Sequence, residues 1–401
     1  MNKNKFFIKK LNYEKSSIEY IKLIKINLYF RRKIKFMEEE KIFIEIPVLE
    51  HFVKSIFIKA GVPESDANIC ASVLIEADKL GIDSHGVNRL KPIYIDRIKE
   101  GIINPITNIE IIKEAPATAL IDGHNGMGQV VAYKSMNIAI DKAKKYGIGM
   151  VAVRNSNHYG IAGYYGLMAT KQNMIGITGT NARPSIAPTF GSENMLGTNP
   201  LTFVMPTDED FPFFLDCATS VSQRGKIEYY ARKNKDIPEG WVIDKEGNYI
   251  TNSNEALKAL SNGIASMVPL GGIGEKTGGY KGYGYATVVE ILSAALQGGA
   301  YLKMLLGIEN GKKVPFKLGH FFIAINISAF IEPAIFKKIS GDILRELRNS
   351  DKMSRHDKIY TPGEKEYLIY KERKIKGIPI NIELLEELNN LAVEYGVNKL
   401  F

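Results

Sequence analysis

The chain has 401 residues, 45% apolar and 24% charged, the make-up of an ordinary globular protein long enough for two or three domains. Its formal charge of +9 suggests a polyanion partner until it is located: residues 1–36 carry 11 Lys/Arg against 2 Asp/Glu, and the rest carries 42 of each sign. The body therefore offers no net field to nucleic acid, which argues against a nucleic-acid-binding protein.

Residues 1–36 contain no Gly, Ala, Pro, Val, Thr or Asp. One reading is a basic tail for a membrane surface or for import; the other, favoured here, is upstream sequence with Met37 as the true start. Charges interrupt every apolar stretch, so this segment is neither a secretory signal nor a membrane span, and nothing downstream is long and uncharged enough to cross a bilayer. Cys70 and Cys217 lie far apart without metal-ligand spacing, which suits a cytoplasmic location.

Apolar residues at helical spacing predict two helices between Pro47 and Leu80, broken at Gly61-Val62-Pro63. A third is expected from about Val87 to Glu100, strands between Ile109 and Asp122, and an amphipathic helix over Val130–Tyr146. A buried strand then runs through Ile148–Val153 into Asn157-His158-Tyr159-Gly160. Further on come a helix at 164–172, strands at 174–180, 201–205 and 213–215, a helix opening at Gly225 and a buried helix at 285–296. A core strand over 320–327 and surface helices at the C-terminal end complete the pattern. No internal repeat is evident.

Polar residues at the carboxyl end of a buried strand, followed by glycine, are where open α/β sheets place ligands, which singles out His158. The plainer reading is a strand-ending turn whose histidine satisfies backbone groups. Asp83-Ser84-His85-Gly86-Val87-Asn88-Arg89 is a second cluster, in which Ser84 or Asp83 can cap the third helix. His85 and Arg89 sit four apart and face the same way. A guanidinium can hold a carboxylate with two parallel hydrogen bonds while an imidazole exchanges a proton near neutral pH. Asp216 ends an apolar strand and needs a partner there, an imidazole to orient or a helix to cap.

Glycine turns at 270–272, 278–284 and 362–364 could bring backbone N–H groups against a phosphate. There is no G-x-G-x-x-G after a strand and no P-loop, so a dinucleotide would bind without the Rossmann fingerprint. H-E-x-x-H, Cys/His zinc spacing and G-x-S-x-G are absent too. A rival reading makes His85, His158 and Asp216 the ligands of a metal-dependent hydrolase, but it leaves Arg89 and the glycine turns without a role.

Taken together, Ser84-His85-Gly86-Val87 with Arg89, Asn155–Gly160 with Ala162–Tyr165, Thr180-Asn181, Leu196–Pro200, Asp216–Ser220, Gly225-Lys226-Ile227, Ile237–Trp241, Pro269–Gly272, Lys281–Gly284 and Pro362-Gly363-Glu364 resemble the malate/L-lactate dehydrogenase family, which is unrelated to the Rossmann-type lactate dehydrogenases. The resemblance runs in order from about residue 40 to the C-terminus. It implies an α/β fold: a non-Rossmann NAD(P)-binding domain, a helical N-terminal part and a second α/β domain for substrate and dimerisation. The corresponding division is residues 1–36 as extension, 37–150 as helical part and first substrate segment, 151–275 as NAD(P)-binding domain and 276–401 as the remainder. The implied activity is hydride transfer between NAD or NADP and C2 of a small 2-hydroxy/2-oxo acid, malate or (S)-lactate foremost, with ureidoglycolate or sulfolactate as alternatives, in a homodimer without a metal. Carried over by position, His85 is the acid/base with Asp216 as its orienting partner, His158 a second catalytic candidate, and Ser84, Arg89 and Asn181 bind substrate. Asp216, Cys217, Ala218, Thr219, Ser266, Met267, Lys281, Pro362, Gly363 and Glu364 resemble cofactor-contacting positions. Cys217 replaces the family's usual methionine, Thr189–Ser192 replaces a more glycine-rich turn, and the link at 273–278 is longer than usual.

Overall fold

The computed structural model describes residues 41–400; the basic leader, and both readings of it, lie outside the described residues. Strand β1 (Lys41–Ile44) leads into helices α1 (Ile46–Lys59) and α2 (Glu64–Lys79). Their apolar faces, Leu49, Phe52, Val53 and Ile56 against Ala67, Cys70, Ala71 and Leu74, meet in one cluster, as their spacing requires.

The third expected helix is not continuous. Two 3₁₀ turns, Asp83–His85 and Val87–Arg89, feed a π-helical turn, Leu90–Ile95, and a last α-turn, α3 (Asp96–Lys99). Pro92 accounts for this: it lacks an N–H and its ring collides with the carbonyl four residues back, so the ladder widens instead of continuing. Ser84 caps no helix here.

Strands β2 (Glu110–Glu114) and β3 (Thr118–Asp122) precede α4 (Gly128–Tyr146) and β4 (Ile148–Ser156), and β3 and β4 pair in parallel across the α4 crossover. Next come α5 (Gly163–Thr170), β5 (Met174–Thr180), β6 (Leu201–Met205) and β7 (Phe213–Cys217). A smaller nucleus follows, built from α6 (Arg224–Arg232), β8 (Val242–Ile243), α7 (Ser253–Ser261) and β9 (Ser266–Met267) around Ile227, Trp241, Val242 and Ala256. Helix α8 (Gly279–Ala294) is only half buried: Tyr285, Val288 and Ile291 face outward, contrary to the expectation of a buried helix at 285–296.

A hairpin of β10 (Ile308–Glu309) and β11 (Lys312–Lys313) introduces β12 (Leu318–Asn326), whose central residues are almost all buried. Helices α9 (Pro333–Asn349) and α10 (Glu364–Lys376) precede β13 (Ile378–Asn381), which pairs with β1, and α11 (Ile382–Tyr395). Helix α11 is no mere surface element, because Leu385, Leu388, Leu391 and Ala392 complete the α1–α2 cluster.

The main sheet runs β2-β3-β4-β12-β5-β6-β7 and takes strands from all three segments expected from the sequence. Strand β12 lies antiparallel to both β4 and β5, with Leu318 opposite Ser156 and His320 opposite Thr180. The carboxyl ends of β4 and β5 and the amino end of β12 therefore share one edge. The fold is α/β with a helical N-terminal layer, as expected.

Candidate active site

At that edge β4 gives way to Asn157, whose buried side-chain amide donates to the carbonyls of Asn125 (2.9 Å) and Gly126 (3.0 Å). Helix α4 starts hard against this turn: a Cβ on Gly128 would lie 2.3 Å from the carbonyl oxygens of Asn157 and His158. The next side chain, His158, has Nδ1 2.7 Å from the Tyr94 hydroxyl and 3.3 Å from the Gly160 amide. An amide can only donate, so Nδ1 is the acceptor and the neutral ring carries its proton on Nε2. Burial, with the positive groups nearby, keeps His158 well below the ordinary histidine range.

Buried Asp78 on α2 sets the second loop. Its carboxylate accepts from the Val87 amide at 2.8 Å, and a Cβ on Gly86 would fall 1.7 Å from its oxygen, so only glycine fits. Arg373 of α10 grips the same turn through Asp83 and the Asp78 carbonyl. His85 is thereby placed with Nδ1 2.9 Å from the Ser84 hydroxyl and its ring stacked on His158, centroids 5.7 Å apart at 15°. Burial, then Arg89, lowers the His85 pKa to about 4. Both rings keep an exposed edge and are uncharged at neutral pH. Arg89 donates from Nε to the Ser84 carbonyl at 2.5 Å, and a Cβ on Gly225 would sit 3.3 Å from its Nη2, which brings the start of α6 to the same place.

Asp216 does not join this group. One carboxylate oxygen accepts from the Gly163 amide (2.7 Å) and the other from the Thr202 hydroxyl (2.9 Å), so it caps the start of α5 and orients no imidazole. The two readings of this carboxylate left open by the sequence thus resolve in favour of the helix. Among the described residues His85, His158 and Asp216 form no metal-binding group, and the hydrolase reading loses its ligand set. Asn181 is fully buried, its amide spanning the Ala300 carbonyl (3.1 Å) and the Gly319 amide (2.8 Å).

The expected cofactor positions are spread along the strand ends beyond Asp216. Thr219 bonds the carbonyls of Thr198 and Asn199, and Ser266 the carbonyl of Ser192. Met267 is buried, and its amide donates to Ser185. Glu364 pairs with Lys358 at 2.5 Å, while Gly363, at φ +96, packs on the Pro212 carbonyl. Cys217 and Ala218 are half-buried, and the carbonyl of exposed Pro362 accepts from the amide of buried Phe214 in β7. The glycine turns at 270–272 and 278–282 do not form open cradles. A Cβ on Gly271, Gly279 or Gly282 would strike the backbone of the facing turn, so these glycines serve close packing. What they do leave is the start of α8, where Gly278 supplies no capping side chain and the first turn holds Lys281.

A family model described as Malate/L-lactate dehydrogenase matches residues 44–389. The chain belongs to the malate/L-lactate dehydrogenase family. It is 47% identical over 365 residues to a malate dehydrogenase of Pyrococcus horikoshii, covering 91% of this chain and 99% of the relative. It is 43% identical over 341 residues to an L-sulfolactate dehydrogenase of Methanocaldococcus jannaschii, covering 85% and 93%. Among solved structures, a malate dehydrogenase from Entamoeba histolytica superposes with TM-score 0.88 at 44% identity, covering 90% of this chain and all of that one.

For a member of this dehydrogenase family the sequence reading missed Tyr94 and Asp78. Tyr94 sits at a core position of the 87–99 run, and nothing local says that its hydroxyl meets a histidine 64 residues away. Asp78 lies on the buried face of α2, an unusual place for a carboxylate and the one signal that was available.

Proposed function

We propose that the chain catalyses reversible hydride transfer between a nicotinamide cofactor, NAD or NADP, and C2 of a small 2-hydroxy/2-oxo acid, malate or (S)-lactate, as a cytoplasmic homodimer. The observation that carries this reading is the stacked pair of neutral imidazoles, His85 and His158, beside Arg89. The helix start at Gly278–Lys281 supports a cofactor diphosphate: uncapped N–H groups with a lysine in the first turn are electrostatically unfavourable alone and favourable with an anion. Lys281 and the neighbouring amides would hold that group, with Cys217 and Ala218 near the reactive ring.

Arg89 binds the substrate carboxylate, as a planar fork does best. His158, with Nδ1 already accepting, offers Nε2–H to the C2 oxygen. His85 can turn its Nδ1–H toward Ser84 and use Nε2 as the base that takes the hydroxyl proton. A bound nicotinamide cofactor would supply the hydride acceptor, and the chain's own residues would orient C2 toward it. Loss of the proton to His85 and of the hydride leaves the 2-oxo acid, and reduction reverses both.

His85→Ala should lower turnover about 10²- to 10⁴-fold while NADH binding, followed by fluorescence, stays within about threefold of wild type. Turnover within threefold of wild type would remove His85 from the chemistry. Of location, only this much is structural: no described helix is long and apolar enough to cross a membrane.

A further inference from the structure

Helix α10 touches two separate parts of the molecule. At its start, Gly363 lies so close to β7 that a Cβ would meet the Pro212 carbonyl at 2.6 Å, and Tyr367 donates to Asp210 at 3.0 Å while stacking on Phe211. Further along, Ile369 packs where a Cβ on Gly81, at φ +77, would fall 2.7 Å away. About 14 Å along the axis from Glu364, Arg373 reaches the turn that carries His85.

That turn has little of its own to hold it. Asp83–His85 is a 3₁₀ turn of three residues, closed by the His85 amide on the Ile82 carbonyl at 2.9 Å and by the Gly86 amide on the Asp83 carbonyl at a long 3.4 Å. Asp78 anchors its far side, at Val87. On the near side one planar group does the rest: Arg373 Nη1 donates to the Asp78 carbonyl and to one Asp83 carboxylate oxygen, and Nη2 donates to the other oxygen at 3.1 Å. The Arg373 side chain is 12% exposed against 57% for Asp83, so the guanidinium is the buried member of the pair. Among the described residues Arg373 bonds none of His85, His158 or Arg89, so any effect on them passes through the turn.

We propose that Arg373 is a positioning residue for the base: from α10 it clamps the 83–86 turn to the end of α2 and so keeps the His85 ring packed on His158. This rests on the dehydrogenase reading above and adds a residue to its machinery that touches neither substrate nor cofactor. The groups facing His85 are Ser84 and Arg89 of its own loop and His158 from the turn after β4, and the clamp variants leave all three in place. When the turn loosens, water reaches the imidazole, the burial that lowers it is relieved, and its pKa rises toward the ordinary value. Charge alone cannot mimic this. Asp83→Asn removes a negative charge, which by itself pushes the imidazole lower, whereas Arg373→Gln removes a positive charge, which by itself pushes it higher. A rise in both variants therefore reports movement of the turn.

The test is the pH profile of kcat/KM for oxidation of malate and (S)-lactate with NAD and NADP, run on the wild type, Asp83→Asn, Arg373→Gln, Arg373→Lys and the double variant Asp83→Asn/Arg373→Gln. NADH binding by fluorescence and urea unfolding accompany each. In Asp83→Asn and Arg373→Gln alike, turnover should fall roughly 10-fold or more, and the acid limb should move up from about 4 toward the ordinary histidine value, about 6.5. The double variant should be little worse than Arg373→Gln, because the two side chains act as one unit. Arg373→Lys keeps the charge without the fork and should fall between Arg373→Gln and the wild type. NADH affinity should stay within about threefold throughout. Asp83 is the exposed partner, so its variant keeps the fold and decides the matter even if Arg373→Gln is unstable. An acid limb that stays at its wild-type position in the variants, or a loss of activity that only follows the loss of folded protein, would overturn the clamp. A fall in NADH affinity as large as the fall in turnover would overturn it too, since α10 would then act through its other end. A wild type that oxidises neither acid with either cofactor would instead overturn the dehydrogenase reading, and the clamp's role with it.

Discussion

A ring nitrogen that already accepts an amide N–H has its protonation state decided by the backbone, and His158 is in that position. His85 has no such lock; the Ser84 hydroxyl can accept from it or donate to it. This asymmetry is what separates a hydrogen-bond donor from a base in two rings that stack. It also sets the pH dependence. A histidine base works only when deprotonated, and His85, lowered to about 4, is deprotonated throughout the range above that value. For oxidation of the hydroxy acid, kcat/KM should therefore stay flat as pH falls from 7 through 6, and decline only on approaching about 4. A pH profile between 4 and 8, with stability checked at each point, measures this directly. A rising limb centred at the ordinary histidine value, about 6.5, would mean that the base is neither of these rings in the state described.

At the scale of elements, legibility in the sequence followed burial. Strands β4 and β5 read as apolar runs because most of each is buried in the sheet, β6 and β7 because they are apolar although only part of each is buried, and α1, α2 and α4 because one face of each is. The run from about Val87 to Glu100 reads as a plain helix because its apolar spacing is helical, and Pro92 breaks the ladder without breaking that spacing. Asp216 was undecidable for a different reason. A carboxylate ending a buried strand must find donors, yet its partner Gly163 stands 53 positions away and Thr202 14 away, separations that carry no local signal. Glycines in the motifs suggested open phosphate cradles, whereas several exist to let one element touch another. Gly128 is the sharpest case, because the start of α4 leans on the very carbonyls that precede and include His158. Gly128→Ala would put a methyl 2.3 Å from both oxygens, so backbone must move. Stability should fall by about 1–3 kcal/mol, as for overpacked sites. The loss in kcat/KM should be larger than that fall alone would cause, about 10²-fold, because a shift near 1 Å misplaces the imidazole. Urea unfolding alongside kinetics of the folded fraction separates the two, and an active, merely less stable variant would deny Gly128 a role in placing His158.

For the molecule as a whole, the surface left uncovered is as telling as the core. Helix α9 carries Ile335, Ile339, Ile343 and Leu347 at intervals of four, each about half exposed, and Phe330 just before it is 79% exposed. Helix α8 adds Tyr285, Val288 and Ile291 on its outer face. Singly exposed apolar residues are ordinary, but continuous stripes on two helices are what a protein normally buries against a partner. A second copy of the same chain would cover such a stripe through a symmetric contact, and it is what the family resemblance implies. The wild type should therefore sediment at twice the chain mass at micromolar concentration. Charge placed in the α9 stripe, Ile339→Lys with Ile343→Lys, or in the α8 stripe, Val288→Lys with Ile291→Lys, should release monomers if that stripe is the contact, since a desolvated ammonium without a partner is costly. A wild type that sediments as a monomer would rule out the dimer, and a dimer untouched by either pair of substitutions would move the contact to another face. If the α8 pair alone releases monomers, the helix that starts at the proposed cofactor diphosphate site is also the subunit contact. Cofactor binding should then weaken on dissociation, which titrating NADH into dimer and monomer would measure.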